Sequence, residues 1–161
     1  MTHKPIVLFR TADRNDFRLM KRIMRDEDRR ELEASSGKRF EDIVDKTRDV
    51  TDFAVAGYCD GKLIAIFGVR RITAVTKTGA IWMFGTKFLP KNKKVFLKHC
   101  RRCVQVMLEN YPLVYNYIDE RNTMIINWLK WLGFTFEEAK PYGPQGLPFY
   151  KFYMKNQCAD H

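Results

Sequence analysis

The sequence predicts an α/β domain, and three stretches predict it. Tyr111–Phe134 reads as a buried strand, with β-branched and aromatic Val114, Tyr115, Tyr117 and Ile118, running into a polar corner at Asp119-Glu120-Arg121-Asn122. Beyond that corner Ile125, Ile126, Trp128, Leu129 and Leu132 recur at helical spacing, and Gly133 stops the helix. Asp60-Gly61 stands between two apolar runs, the strongest short signal for a tight hairpin. Finally Phe96, Leu97, Cys100, Cys103, Val104, Met107 and Leu108 fall on one face of a long helix, with Lys98, Arg101, Arg102, Gln105 and Glu109 on the other.

Taken in order, Pro5 to Arg10 is a short apolar strand, and Thr11-Ala12-Asp13 offers caps for a helix whose buried stripe is Phe17, Met20, Ile23 and Met24. Asp26 to Ala34 is almost entirely charged, and Ser35-Ser36-Gly37 breaks it. Phe40, Ile43 and Val44 mark a second short helix. Strands Phe53–Cys59 and Lys62–Ile72 form the hairpin, and a turn at Lys77-Thr78-Gly79 leads into the strand Ala80–Thr86. The order so far is a strand, two helices and a three-strand meander. Lys91-Asn92-Lys93-Lys94 precede the long helix, which Tyr111-Pro112 ends, and Asn122 is placed to cap the next one. Thr135-Phe136, the loop Pro141–Pro148 and a last strand Phe149–Met154 complete the chain.

The 161 residues are read as one domain, with about 156–161 as a frayed tail. A hydrophobic content of 45%, aromatics included, is enough for a core without staples. No apolar run approaches the roughly 18 residues of a membrane span, and the N-terminus has no signal-peptide pattern. Four irregularly spaced cysteines fit a reducing cytosol. The balance of 29 Lys+Arg against 19 Asp+Glu favours anionic partners such as phosphorylated cofactors or nucleic acid, although no nucleic-acid motif is present.

The strand, corner and helix of Tyr111–Phe134 resemble the last conserved segment of the GNAT (Gcn5-related N-acetyltransferase) superfamily, through Asn122, Ile125, Gly133 and Phe134. Leu129 departs from it, standing where many members place the tyrosine that protonates the departing thiolate. With WLKWLGF and PYGPQGLPFYKF added, the pattern is most similar to small GNAT-like proteins of tailed bacteriophages, some of them linked to virion morphogenesis. The resemblance implies a mixed, mainly antiparallel sheet flanked by helices, with Leu113–Ile118 pairing parallel to Ala80–Thr86. It implies acetyl-CoA as cofactor, held by Phe84, Lys87, Lys91, Asn92, Lys93, Lys94 and Asn122. The family's glycine-rich pyrophosphate loop is replaced by KFLPKNKK, so lysine side chains, together with a helix start that Asn92 would cap, must attract the phosphates.

An amine acceptor must lose a proton and a thiolate must gain one. Tyr115, Tyr117, Tyr142, Glu27, Asp28, Glu31, Asp119 and Glu120 are the candidates, and spacing singles out none of them. Trp128 and Trp131, three apart, are expected in the core with one ring edge at the cleft. His99 and the pair Cys100 and Cys103 suggest a metal fragment, but both thiols lie on the apolar helix face and Cys59 and Cys158 are isolated, so buried thiols are the reading. No metal is expected. Two functions follow from the resemblance: an acetyl-CoA-dependent N-acyltransferase acting on a protein or small amine, or an inactive phage accessory protein that uses the fold to bind a phage or host protein. Either would work in the cytoplasm of an infected bacterium, or with the virion.

Overall fold

The computed structural model describes residues 3–73 and 75–156. Strand β1 (Val7–Thr11) leads into three helices, α1 (Arg14–Ile23), α2 (Asp26–Ser36) and α3 (Phe40–Val50). The meander β2 (Phe53–Cys59), β3 (Lys62–Arg71) and β4 (Thr78–Gly85) follows, then α4 (Leu89–Asn110), β5 (Leu113–Asp119) and α5 (Thr123–Leu132). Short strands β6 (Thr135–Phe136) and β7 (Lys140–Tyr142) precede β8 (Leu147–Lys155). The sheet order is β1-β2-β3-β4-β5-β8-β6, with β7 pairing β8 off that path. All pairs are antiparallel except β4 with β5, as the resemblance implies.

The hairpin turn is where Asp60-Gly61 places it, and both residues take positive φ, 50° and 77°. Asp13 caps α1 through a reciprocal pair of bonds with Asp16. The expectation of two helices before the meander falls short by one. Met24 is extended (ψ 144°) and bridges to Thr86, which cuts α1 off and lets the charged segment form α2 on its own. The long helix also begins earlier than its apolar stripe, at Leu89, because Pro90 suits a first helical turn. The loop Pro141–Pro148 is partly ordered as β7. Residues 157–161, including Cys158 and most of the expected frayed tail, lie outside the described residues, whereas Asn156 is tied to Pro112 and Leu108 by 2.8 and 3.0 Å bonds.

Two apolar clusters sandwich the sheet. On one face α4 and α5 pack Phe96, Cys100, Val104, Met107, Ile125 and Trp128 against strand residues such as Phe67, Val114 and Phe152. On the other, Phe17, Met20 and Val44 of α1 and α3 meet Leu63, Ile66 and Phe84. Each fully buried side chain of this kind contributes about 1.5–3 kcal/mol.

Candidate active site

β4 and β5 pair over three residues only, Thr78↔Leu113, Gly79↔Val114 and Ala80↔Tyr115. Beyond Ala80 no pairing holds them, and the Asn116 side-chain amide spans the gap to donate to the Ile81 carbonyl at 2.6 Å. A cavity of about 420 Å³ occupies this gap and reaches both faces of the sheet. Its mouth on the α2–α3 side is framed by Ser36, Thr47, Arg70, Trp82, Tyr117 and Tyr142; its α4–α5 side is apolar, with Cys100, Val104, Ile125, Trp128, Leu129 and Leu132.

Where the two halves meet, α2 contributes two carboxyl groups to the wall, Asp28 and Glu31. Asp28 is 5% exposed; it accepts from the Gly85 amide (2.7 Å) and from Arg25 Nη1 (3.2 Å). Glu31 accepts from the Asp119 amide through Oε1 (2.8 Å) and from Asn122 Nδ2 through Oε2 (3.3 Å). Burial pushes Asp28 up to about 6, with Arg25 pulling the other way. Burial, and then the nearby Asp28 charge, push Glu31 up to about 8. Near neutral pH the pair therefore holds close to one proton between them and can take another. Asp119 behaves oppositely: against the upward pull of burial, hydrogen bonds from Arg121 hold it below the usual carboxylate range.

The other sequence candidates separate cleanly. Tyr117 and Tyr142 reach the cavity and stack on each other, centroids 4.5 Å apart, whereas Tyr115 lies outside it beneath Lys151. Glu27 pairs with Arg25 at the surface and Glu120 is exposed. Trp128 is buried against Phe96, but Trp131 is not in the core. It is 49% exposed, with the Arg101 guanidinium 4.1 Å from its ring, because a residue three further on turns about 60° away from the buried stripe. Cys100 is buried and Cys103 partly so; burial raises both thiols above their ordinary range, and both are free. Among the described residues no group of His, Cys, Asp and Glu converges as a metal site.

Of the residues assigned to the cofactor, Phe84 and Asn122 line the cavity; Lys87, Lys91, Asn92, Lys93 and Lys94 do not. Phe84 is 2% exposed, its ring packed in the α1–α3 cluster. Asn122 occupies the N-cap position of α5 without capping it: its Nδ2 is spent on Glu31, and its buried Oδ1 has no partner. Nor does Asn92 cap α4. Phe88 holds that position, and Asn92 Nδ2 donates back to the Phe88 carbonyl at 2.9 Å. The loop amides are also engaged, Lys87 N to the Ile23 carbonyl, Phe88 N to Thr86 Oγ1 and Leu89 N to the Thr86 carbonyl, while Pro90 has none. The apolar α4–α5 side is where an acyl-pantetheine arm would be held, beside Asn122 Oδ1 and Trp128 Nε1, neither of which has a hydrogen-bond partner among the described residues. A backbone cradle for pyrophosphate does not form.

Compared with solved structures, the chain superposes on spermidine N-acetyltransferase from Vibrio cholerae, solved with CoA and spermine (TM-score 0.67, 13% identity, 92% of this chain and 95% of that one). It also superposes on a ribosomal-protein-alanine N-acetyltransferase from Brucella melitensis (0.70, 12%, 92% and 99%) and on a GNAT-family acetyltransferase from Streptococcus pneumoniae (0.62, 14%, 94% and 100%). The chain has the GNAT acetyltransferase fold. No protein-family profile and no curated sequence matches it, so the likeness lies in the fold. Within the GNAT fold, sequence reasoning missed Asn116, Trp82 and Arg70. A lone asparagine inside the apolar run YPLVYNYI was the one signal that could have marked the gap.

Proposed function

We propose that this chain is an acyl-CoA-dependent N-acyltransferase whose amine acceptor enters from the α2–α3 side. The observation that carries the reading is the pair of a buried Asp28 and a half-buried Glu31 in the wall of a cavity that passes between β4 and β5. An amine must arrive there as the free base to attack, and a carboxylate poised near neutral pH can take its proton. Bound acetyl-CoA supplies an activated acyl carbonyl. Asn122 Oδ1 and the apolar wall of α4 and α5 would hold its arm, and Lys91, Lys93 and Lys94 would attract its phosphates from the rim by charge alone. The acceptors in the names of the compared structures, spermidine and a ribosomal protein, support either a small amine or a protein amine as substrate.

A second reading is a phage accessory protein without catalysis. It is favoured by the engaged amides at 87–89 and by Leu129, which cannot protonate a thiolate. Thermal melts with acetyl-CoA separate the two. At a hundredfold excess over the dissociation constant the enzyme gains about 2.7 kcal/mol of stability. An unchanged melting temperature at millimolar acetyl-CoA overturns the enzyme reading and leaves the binding role.

A further inference from the structure

We propose that the outer face of α4 is a docking surface for the phosphate backbone of duplex nucleic acid. Lys91, Lys94, Lys98, Arg101 and Arg102 are all exposed on this 22-residue helix. At about 100° per residue they fall within one arc about 100° wide, opposite Leu89, Phe96, Cys100, Val104 and Met107, which face the core. The helix carries no acidic residue before Glu109. None of the five cations has a carboxylate partner among the described residues, whereas Arg25, just before α2, and Arg48 of α3 do form ion pairs. A solvated helix face ordinarily mixes both signs.

Geometry selects the partner. With a rise of about 1.5 Å per residue, Lys91 to Arg102 covers about 16 Å, with neighbouring cations about 4 Å apart along the axis on average. Successive phosphates along one strand of a duplex are about 3.4 Å apart along its axis. The stripe runs too far to serve one cofactor: Arg102 lies about 20 Å along the helix from Leu89, well beyond a pyrophosphate at the helix start. A lipid surface is a poorer fit, because the apolar side of α4 is spent on the core and nothing is left to insert. Base stacking on single strands needs a series of exposed rings, and Trp131, beside Arg101, is the one exposed aromatic next to the stripe.

Fluorescence anisotropy with a labelled 20-base-pair duplex tests this. Five phosphate contacts predict a log–log salt slope near −4.5, an affinity loss of about 500-fold between 50 and 200 mM salt. The variant K98A/R101A/R102A, built at exposed positions away from the cavity, should keep two contacts and lose only about tenfold over the same range. The pair K98A/R102A leaves Arg101 on Trp131 and should fall between, which keeps the test intact if the triple variant melts early. Absence of binding at 50 mM salt overturns the proposal. So does a salt slope unchanged by the substitutions, or tighter binding to phosphatidylserine vesicles than to the duplex.

Discussion

Two charged regions, one in the wall of the cavity and one outside its lining, are built in opposite ways. On α2, Asp28 is buried and Glu31 half-buried, and the bonds they accept come from the amides of Gly85 and Asp119, Arg25 and the Asn122 side chain. At the start of α4, Lys91, Lys93 and Lys94 are exposed and have no ion-pair partner among the described residues, beside a loop whose amides bond within the protein. A buried charge is costly and must be held in place, so its position carries information about chemistry. An exposed cation costs almost nothing and acts at a distance, through a field that salt screens.

That contrast is sharpest in stability. Glu31→Ala strands two enclosed donors, the Asp119 amide and Asn122 Nδ2, at about 1–3 kcal/mol each, so urea denaturation should show a loss of about 2–6 kcal/mol. A loss below about 0.5 kcal/mol would mean that α2 is not anchored to β5 through this residue.

The pH profile is the next largest effect. Glu31 keeps its proton in the folded chain up to about 8, whereas the unfolded chain releases it near 4.5. In that window the folded state binds more protons, so stability is fully present below about pH 4.5 and falls as pH rises toward 8. Asp28 adds the same sign between about 4 and 6. Glu31→Gln, which cannot ionise, should flatten the upper part of the profile when melts at pH 5 and pH 8 are compared. An equal slope in both proteins would show that Glu31 titrates as an ordinary carboxylate.

The smallest effect belongs to the lysines. Lys93→Ala with Lys94→Ala should leave the melting free energy within about 0.5 kcal/mol of the parent. Acetyl-CoA affinity measured by calorimetry at low salt should fall severalfold, and the difference should fade at high salt. If the double variant binds as well as the parent at low salt, the phosphates sit elsewhere.

The same contrast explains what could be read from the sequence. Local chemistry was legible: Asp60-Gly61 fixed the hairpin, Thr11-Ala12-Asp13 the region where α1 starts, and the apolar spacing of Phe96, Cys100, Val104 and Met107 the buried side of α4. The strand and helix on either side of Asn122 were legible as well, while the parallel pairing of β4 with β5 came from the family resemblance and is confined to Thr78–Ala80. The site was only half legible. Asp28 and Glu31 appeared among eight acid–base candidates, but nothing local distinguishes them from Glu27. Their burial comes from Gly85, Asp119 and Asn122, which lie 57 to 91 residues away. Asn92 and Asn122 looked like caps because asparagine caps helices, and each instead spends its amide on another acceptor. The number of helices before the meander turned on one extended residue, Met24, pinned by a bridge to Thr86 that periodicity cannot reveal.

The turn after β7 limits how wide the cavity's mouth on the α2–α3 side can be. Gly143 sits at φ 75°, where a β-carbon would lie 2.2 Å from the Ala34 carbonyl oxygen at the end of α2, and one at Gly37 would lie 2.9 Å from Pro144. Main chain therefore rests almost directly on main chain beside Tyr142 and Ser36, two residues of the mouth. Such a seam behaves like a hinge pin of fixed gauge. Exchanging the side chains around the opening can recolour it, but widening it requires forcing this joint apart.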